Sequence, residues 1–70
     1  MYMQSTEHTA REGYAIFTGK NVHAFVISQW CKEKGMTFGT DYTWYMHGNE
    51  QIVFKFKDPL QATMAVLQWT

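Results

Sequence analysis

The chain has only one cysteine, Cys31, and only one proline, Pro59, among its 70 residues. A single cysteine excludes an intramolecular disulfide and a cysteine-rich zinc site, and it is typical of a reducing compartment. No apolar run approaches the roughly 18 residues of a membrane span, and residues 1–12 are too polar to contain the hydrophobic region of a signal peptide. These absences predict a cytoplasmic protein that is neither exported nor inserted into a membrane.

An excess of charge of one sign is also absent, because six basic residues balance six acidic ones. The chain therefore has no strong overall field that would attract nucleic acid or an anionic membrane. Its composition, 46% hydrophobic and 17% charged, is typical of a globular protein. We expect a polar N-terminal arm over residues 1–12 and a single α+β domain over residues 13–70. A domain this small has modest stability, which favours association with a partner.

Two elements are predicted in the first half of the chain. The β-favouring run Tyr14–Thr18 lies between two glycines and predicts a strand. A helix is predicted over residues 22–34, with Asn21 as its N-cap and Gly35 as its stop. On a helical wheel the core side consists of Val22, Val26, Ile27, Trp30 and Cys31, with Ala24 and Phe25 outside it.

A hairpin and a second helix are predicted in the second half. Strands over residues 42–47 and 50–57 flank Gly48-Asn49, a dipeptide that is typical of a two-residue hairpin turn. Asp58-Pro59 supplies the N-cap and the first residue of a last helix that runs to about Trp69. The predicted core stripe of this helix is Leu60, Met64 and Leu67.

The predicted element order is β-α-β-β-α. The right-handed crossover rule makes the first two strands parallel, with the third strand inserted between them and both helices on one face of the sheet. The result is a three-stranded sheet of order 2-3-1, a truncated ferredoxin-like fold. Such a fold normally has a fourth strand beside the first one, and nothing after Trp69 can supply it. We therefore expect the outer edge of the first strand to be unpaired.

The hairpin register decides which side chains face the helices. A two-residue turn places residue 47 opposite residue 50 and residue 45 opposite residue 52. Alternation then assigns to the core Thr43, Tyr45, His47, Ile52, Phe54 and Phe56. It assigns to the open face Tyr42, Trp44, Met46, Gln51, Val53, Lys55 and Lys57. Two other interpretations stay open: the N-terminal arm covers this face, or the register is shifted by one residue.

A water-facing sheet surface that is rich in aromatic residues and methionine is typical of a protein interface. We predict that the chain is a non-enzymatic protein-binding module, with a binding surface centred on Trp44. Its size suits an adaptor, or a modulator or inhibitor of a larger complex of the kind that phages encode. Homodimerisation through the unpaired edge or the open face is a further candidate. The predicted protein-binding residues are Tyr42, Trp44, Met46, Val53, Lys55 and Lys57.

Single-stranded RNA or DNA binding through the same face is the alternative prediction. The segment 52–56, followed by Lys57, resembles the end of the third-strand motif of the RNA-recognition module, and the topology is similar. Gln51 and Val53, however, stand where that module has its base-stacking aromatic residues. Asn49-Glu50 also replaces its basic residue and glycine. The resemblance therefore transfers no binding residues, and the neutral net charge disfavours nucleic acid as the partner.

No catalytic residue, cofactor or metal site is predicted. The three histidines, His8, His23 and His47, lack the close spacing of metal ligands. Cys31 lies towards the core side of its helix, where a cysteine behaves as a small hydrophobic residue. The segment 13–20 differs from a phosphate-binding loop in its glycine spacing and in the residue that follows its lysine. We therefore expect that the chain is not an enzyme.

Overall fold

The computed structural model describes residues 2–3 and 10–69. The described residues have the predicted α+β class, with two helices of ten or more residues and an antiparallel sheet of three longer strands. A two-residue strand extends this sheet at one edge. The elements are β1 (Tyr2–Met3), β2 (Tyr14–Thr18), α1 (Asn21–Glu33), β3 (Tyr42–His47), β4 (Gln51–Phe56) and α2 (Pro59–Gln68).

The strands lie in the order β1-β2-β4-β3, and all neighbours are antiparallel. β2 and β3 are therefore parallel to each other, with β4 between them. The expectation of an unpaired outer edge on β2 is wrong, because Tyr2 pairs with Thr18 and Met3 pairs with Phe17. Two residues of the predicted N-terminal arm thus belong to the sheet. Ala10, at the end of the predicted arm, is buried, and its carbonyl accepts from the Gly13 N–H at 3.0 Å. Residues 1 and 4–9 of the arm, including His8, lie outside the described residues.

The ends of the helices follow local capping chemistry. Lys20, not the predicted Asn21, is the N-cap of α1, and its backbone N–H donates to Nδ1 of His23 at 2.9 Å. Gly35 ends this helix with φ of +86°, as predicted, and the Met36 N–H donates to a carbonyl of the last turn at 3.0 Å. At the start of α2 the predicted cap is confirmed, because a carboxylate oxygen of Asp58 accepts from the backbone N–H of Leu60 at 3.0 Å.

A close backbone approach fixes the start of β2 against the end of β4. Gly13 has φ of +90°, and its carbonyl accepts from the Phe56 N–H at 2.7 Å. A Cβ atom at this position would lie 2.7 Å from the carbonyl oxygen of Phe56. Both the positive φ and the short distance therefore require glycine here.

The β3-β4 hairpin has a three-residue loop, Gly48–Glu50, and its last pair is His47 with Gln51. The predicted two-residue turn is wrong by one residue. Gly48 enters the loop with φ of +73°, a conformation that glycine adopts without steric cost. Because side chains alternate along a strand, the longer loop reverses the faces of β3 relative to β4. The helix side therefore holds Tyr42, Trp44, Met46, Ile52, Phe54 and Phe56, and the open face holds Thr43, Tyr45, His47, Gln51, Val53 and Lys55.

Both helices pack on the sheet mainly through small residues, and Ile27 is the one large aliphatic side chain among their buried positions. α1 buries Ala24, Ile27, Ser28 and Cys31, and α2 buries Ala62 and Ala65. These residues contact a sheet surface that carries the large rings of Phe17, Tyr42, Phe54 and Phe56. Since these rings occupy space between the layers, most of the buried helix positions hold short side chains.

The predicted core sides of the helices are therefore wrong for most of their large residues. Ile27 and Cys31 are buried as predicted, but Val22 and Val26 are exposed and Ala24 is buried. All three residues of the stripe predicted for α2 face outwards, and the exposed fractions of Leu60 and Leu67 are 71% and 73%. The remaining member of that stripe is Met64, which is also exposed.

Candidate protein-binding surface

The six residues predicted to form one binding surface lie in three different environments. Tyr42 is 2% exposed and belongs to the core. Its hydroxyl lies 2.6 Å from the Ser28 hydroxyl, a buried contact that joins β3 to α1. The Tyr42 ring also stacks on the Phe54 ring, with 6.1 Å between the centroids. The prediction that Tyr42 lies on the open face is therefore wrong, because its side chain is buried on the helix side of the sheet.

Trp44 and Met46 lie on the helix side of β3, where they are half-buried against the core. The Phe25 ring meets the Trp44 ring edge-on at 5.6 Å between centroids. Met46 and Val22 line the same shallow groove at the start of α1. The prediction that both residues lie on the open face is wrong, but both border the outer surface of α1.

Val53 and Lys55 are on the open face, as predicted. Val53 is only 6% exposed, however, because it lies between its cross-strand neighbours Ile16 and Tyr45. The Lys55 ammonium group is 5.7 Å from the centre of the Tyr14 ring, a cation–π arrangement.

Lys57, the last of the six residues, follows β4 and is exposed. Its backbone N–H donates to the Asp41 carbonyl at 2.9 Å. Lys57 lies beyond the end of the strand, and Tyr42, Trp44 and Met46 are on the other side of the sheet. The predicted surface is therefore divided between the two sides of the sheet and does not exist as one patch.

A different apolar surface covers the outer side of the two helices. We call it the helical apolar surface. On α1 its members follow the helical spacing i, i+3, i+4 and i+8, and on α2 they follow i, i+4 and i+7. It consists of Val22, Phe25, Val26 and Trp30 on α1, Leu60, Met64 and Leu67 on α2, and Trp69 just after α2.

Two grooves run along this surface, and Trp30 and Gln68 line both of them. The larger groove has a volume of about 470 Å³, and its lining is Val22, Phe25, Val26, Gln29, Trp30, Glu33, Gln68 and Trp69. The smaller groove has a volume of about 260 Å³, and its lining is Trp30, Lys34, Met64, Leu67 and Gln68. The shared residues make the outer sides of α1 and α2 one continuous surface.

The helical apolar surface is large for a chain of this size. Six of its side chains are half to three-quarters exposed, at roughly 100 Å² each, so together they present on the order of 600 Å² of apolar area. The largest apolar patch of a typical monomer is about 300–600 Å². Its charged neighbours, Glu33 and Lys34, are exposed in the last turn of α1 and just after it. An apolar centre with a polar margin is the usual composition of a protein interface.

Sequence reasoning missed this surface although its signal was present. Ala24, Ser28 and Cys31 recur at helical spacing on α1, as do Ala62 and Ala65 on α2. Small residues at this spacing indicate a helix face that approaches its neighbour closely. The larger residues were assigned to the core because hydrophobicity alone ranks them above alanine and serine.

The described part of the chain contains one cysteine, Cys31, and two histidines, His23 and His47. Burial raises the pKa of the Cys31 thiol from 9.0 to about 12, so the nucleophilic thiolate is disfavoured. Nδ1 of His23 accepts a hydrogen bond from the backbone, and His47 is exposed in the hairpin. Within residues 2–3 and 10–69, no three His, Cys, Asp or Glu side chains gather as a metal ion would require.

In the same part of the chain, no helix combines the length and apolar character needed to cross a membrane.

Comparison with protein-family models, with curated proteins and with solved structures finds no significant match.

Proposed function

We propose that this chain is a non-enzymatic protein-binding module that binds its partner through the helical apolar surface. The observation that carries the proposal is the reversal of size on both helices, with mostly small residues inside and most of the large apolar residues outside. Exposed side chains such as Phe25 and Leu67 add little to the core of the monomer, and they lower its solubility. Burial against a partner removes these side chains from water and so contributes favourably to the free energy of binding.

The sheet serves this function as a rigid support. We interpret the architecture as a truncated ferredoxin-like fold in which β1 occupies the edge position beside β2. The three longer strands hold α1 and α2 side by side, and the Ser28–Tyr42 contact fixes α1 to β3. Residues on two helices of fixed spacing form a more precise binding site than residues on loops. An adaptor, or a modulator or inhibitor of a larger complex in the cytoplasm, is the setting that we propose.

The open sheet face does not favour nucleic-acid binding as a second function. Base-stacking proteins need accessible aromatic rings beside basic groups. Among the described residues this face has two aromatic side chains, Tyr14 beside the Lys55 ammonium group and Tyr45 on β3, but the chain has no net positive charge to attract a polyanion. Val53 is buried at the centre of this face.

A comparative pull-down tests the proposed function. The bait is the full chain as wild type, Val26→Lys or Leu67→Lys, incubated with lysate of the cells that naturally make it and read by mass spectrometry. Tyr45→Lys is the matched control, because it adds the same charge at an exposed position on the opposite face. We expect at least one protein that wild type and Tyr45→Lys both bind and that both helix variants lose, since an unpaired charge in an apolar interface is costly.

Far-UV circular dichroism of all four baits checks that they are equally folded. Partners that are retained by the helix variants and lost by the Tyr45→Lys variant would place the binding site on the sheet and contradict the proposal.

A further inference from the structure

We propose that the helical apolar surface also binds a second copy of this chain, so that the free protein is a two-fold symmetric homodimer. This inference rests on the proposed function, because it names an occupant of the same surface. In the dimer the apolar side chains of both copies are covered. Self-association and binding of another protein then exclude each other, and the dimer is the resting form.

The exposed area matches what a dimer needs. A stable interface buries about 800 Å² on each partner, and interfaces between identical chains have the most apolar centres. The six most exposed side chains of the surface supply on the order of 600 Å². The partly buried rings of Trp30 and Trp69 line the larger groove among them and add to this area.

The charges of the chain suit self-association. A large net charge would make two copies repel each other, but six basic residues balance six acidic ones here. The charged side chains that line the two grooves are Glu33 in the larger one and Lys34 in the smaller one. They have opposite sign and are adjacent in sequence.

Two-fold symmetry allows the Glu33–Lys34 pair of one copy to meet the same pair of the other copy with opposite charges in contact. In a symmetric dimer, any contact between residue i of one copy and residue j of the other occurs twice. An axis beside the last turn of α1 places Glu33 of each copy against Lys34 of the other copy. The same axis lies beside the smaller groove, so Met64 and Leu67 of each copy pack against the partner copy.

Sedimentation velocity of the full chain, from about 5 to about 200 µM, tests the dimer by mass action. We expect wild type and Tyr45→Lys to approach twice the 8.2 kDa chain mass as the concentration rises. Leu67→Lys should stay at the mass of one chain, with a dissociation constant at least about 100-fold higher, because the new charge loses its water in the interface. Leu67 is exposed, so this variant should keep the wild-type circular dichroism spectrum.

Charge reversal gives a second and sharper measurement. Glu33→Lys and Lys34→Glu should each weaken the dimer about tenfold, because each places like charges together twice. An equimolar mixture of these two variants should associate about as well as wild type, since the opposite charges meet again. The chain with both substitutions should do the same. Recovery on mixing is specific to contact between copies and has no explanation in the folding of one chain.

Wild type that stays monomeric up to about 200 µM would overturn the homodimer. A dimer that persists in Leu67→Lys and dissociates in Tyr45→Lys would overturn it as well, because the sheet would then be the interface. Neither result would affect the pull-down, which compares variants at one bait concentration. A dimer that forms as described while no captured protein depends on Val26 or Leu67 would refute the proposed function and leave the homodimer in place.

Discussion

Replacing Leu67 by alanine should change the stability of the monomer very little, although Leu67 is the last residue of an apolar helical stripe. Leu67 is 73% exposed, so about a quarter of its side chain is buried. Full burial of a leucine is worth about 1.5–3 kcal/mol, so the truncation removes about 0.4–0.8 kcal/mol. The higher helix propensity of alanine returns about 0.2 kcal/mol. We therefore expect a loss of about 0.5 kcal/mol or less.

Urea unfolding followed by far-UV circular dichroism measures this difference. The chain concentration must be one at which centrifugation finds monomers, because a dimer would add a concentration-dependent contribution to stability. In a domain of this length a change of about 1 kcal/mol shifts the melting temperature by about 4–8 °C. Leu67→Ala should therefore lower the melting temperature by no more than about 4 °C.

The counterpart is Ala65→Leu, two positions away on the inner side of the same helix. Ala65 has no exposed area and contacts the ring-filled surface of the sheet. A larger side chain there must displace its neighbours, which costs about 1–3 kcal/mol. Leucine and alanine have similar helix propensities, so the loss measures packing.

A loss of about 2–5 kcal/mol in Leu67→Ala would refute this reasoning, because that is the cost of truncating a buried leucine. Together with a neutral Ala65→Leu, it would show that α2 is rotated and that Leu60, Met64 and Leu67 face the sheet. The helical apolar surface would then not exist.

Substitutions at three further residues test single features of the fold. Tyr42→Phe should lower the free energy of unfolding by about 1–2 kcal/mol, because the buried Ser28 hydroxyl loses its partner; a stability equal to wild type in urea would contradict this. Asp58→Ala should cost about 1 kcal/mol in the same assay, and Asp58→Asn, which keeps an acceptor for the cap, should cost less. Burial raises the pKa of Cys31 from 9.0 to about 12, so the stability that its neutral thiol contributes is complete below pH 9 and is lost as the pH rises through 12. Cys31→Ala should lack this component, and identical pH profiles of the two proteins between pH 9 and 12 would contradict the assignment.

Local signals in the sequence predicted the elements of the fold well. The stop at Gly35 and the cap at Asp58 depend on a few adjacent residues, and both are confirmed. The core side of β4 was also correct, because Ile52, Phe54 and Phe56 alternate with smaller or polar residues. β1 could not be predicted, since two residues are too short for a periodic pattern.

The hairpin prediction failed on a single residue. Gly48-Asn49 is typical of a two-residue turn, and nothing in the local sequence shows that Glu50 joins the loop. The packing of β3 decides the register: the three-residue loop brings the Tyr42 ring beside Phe54 and Phe56, and its hydroxyl reaches Ser28. With the shorter turn these contacts would be lost, and the smaller Thr43 side chain would face the helices.

The prediction of the helix faces failed because it did not consider the volume available to side chains between the helices and the sheet. A helical wheel ranks residues by hydrophobicity, but the space between two layers is limited, and here the sheet supplies Phe17, Tyr42, Phe54 and Phe56 to fill it. Once those rings are in place, the helices approach the sheet mainly through alanine, serine and cysteine, with Ile27 as the exception. Most of the large apolar residues on the same helices then lie outside the core of the monomer, and their exposure lowers its solubility. α1 and α2 are separate elements, yet both have mostly small residues inside and large apolar residues outside. A single cause that acts on both outer faces explains this arrangement better than coincidence. Burial of both outer faces against another protein is such a cause.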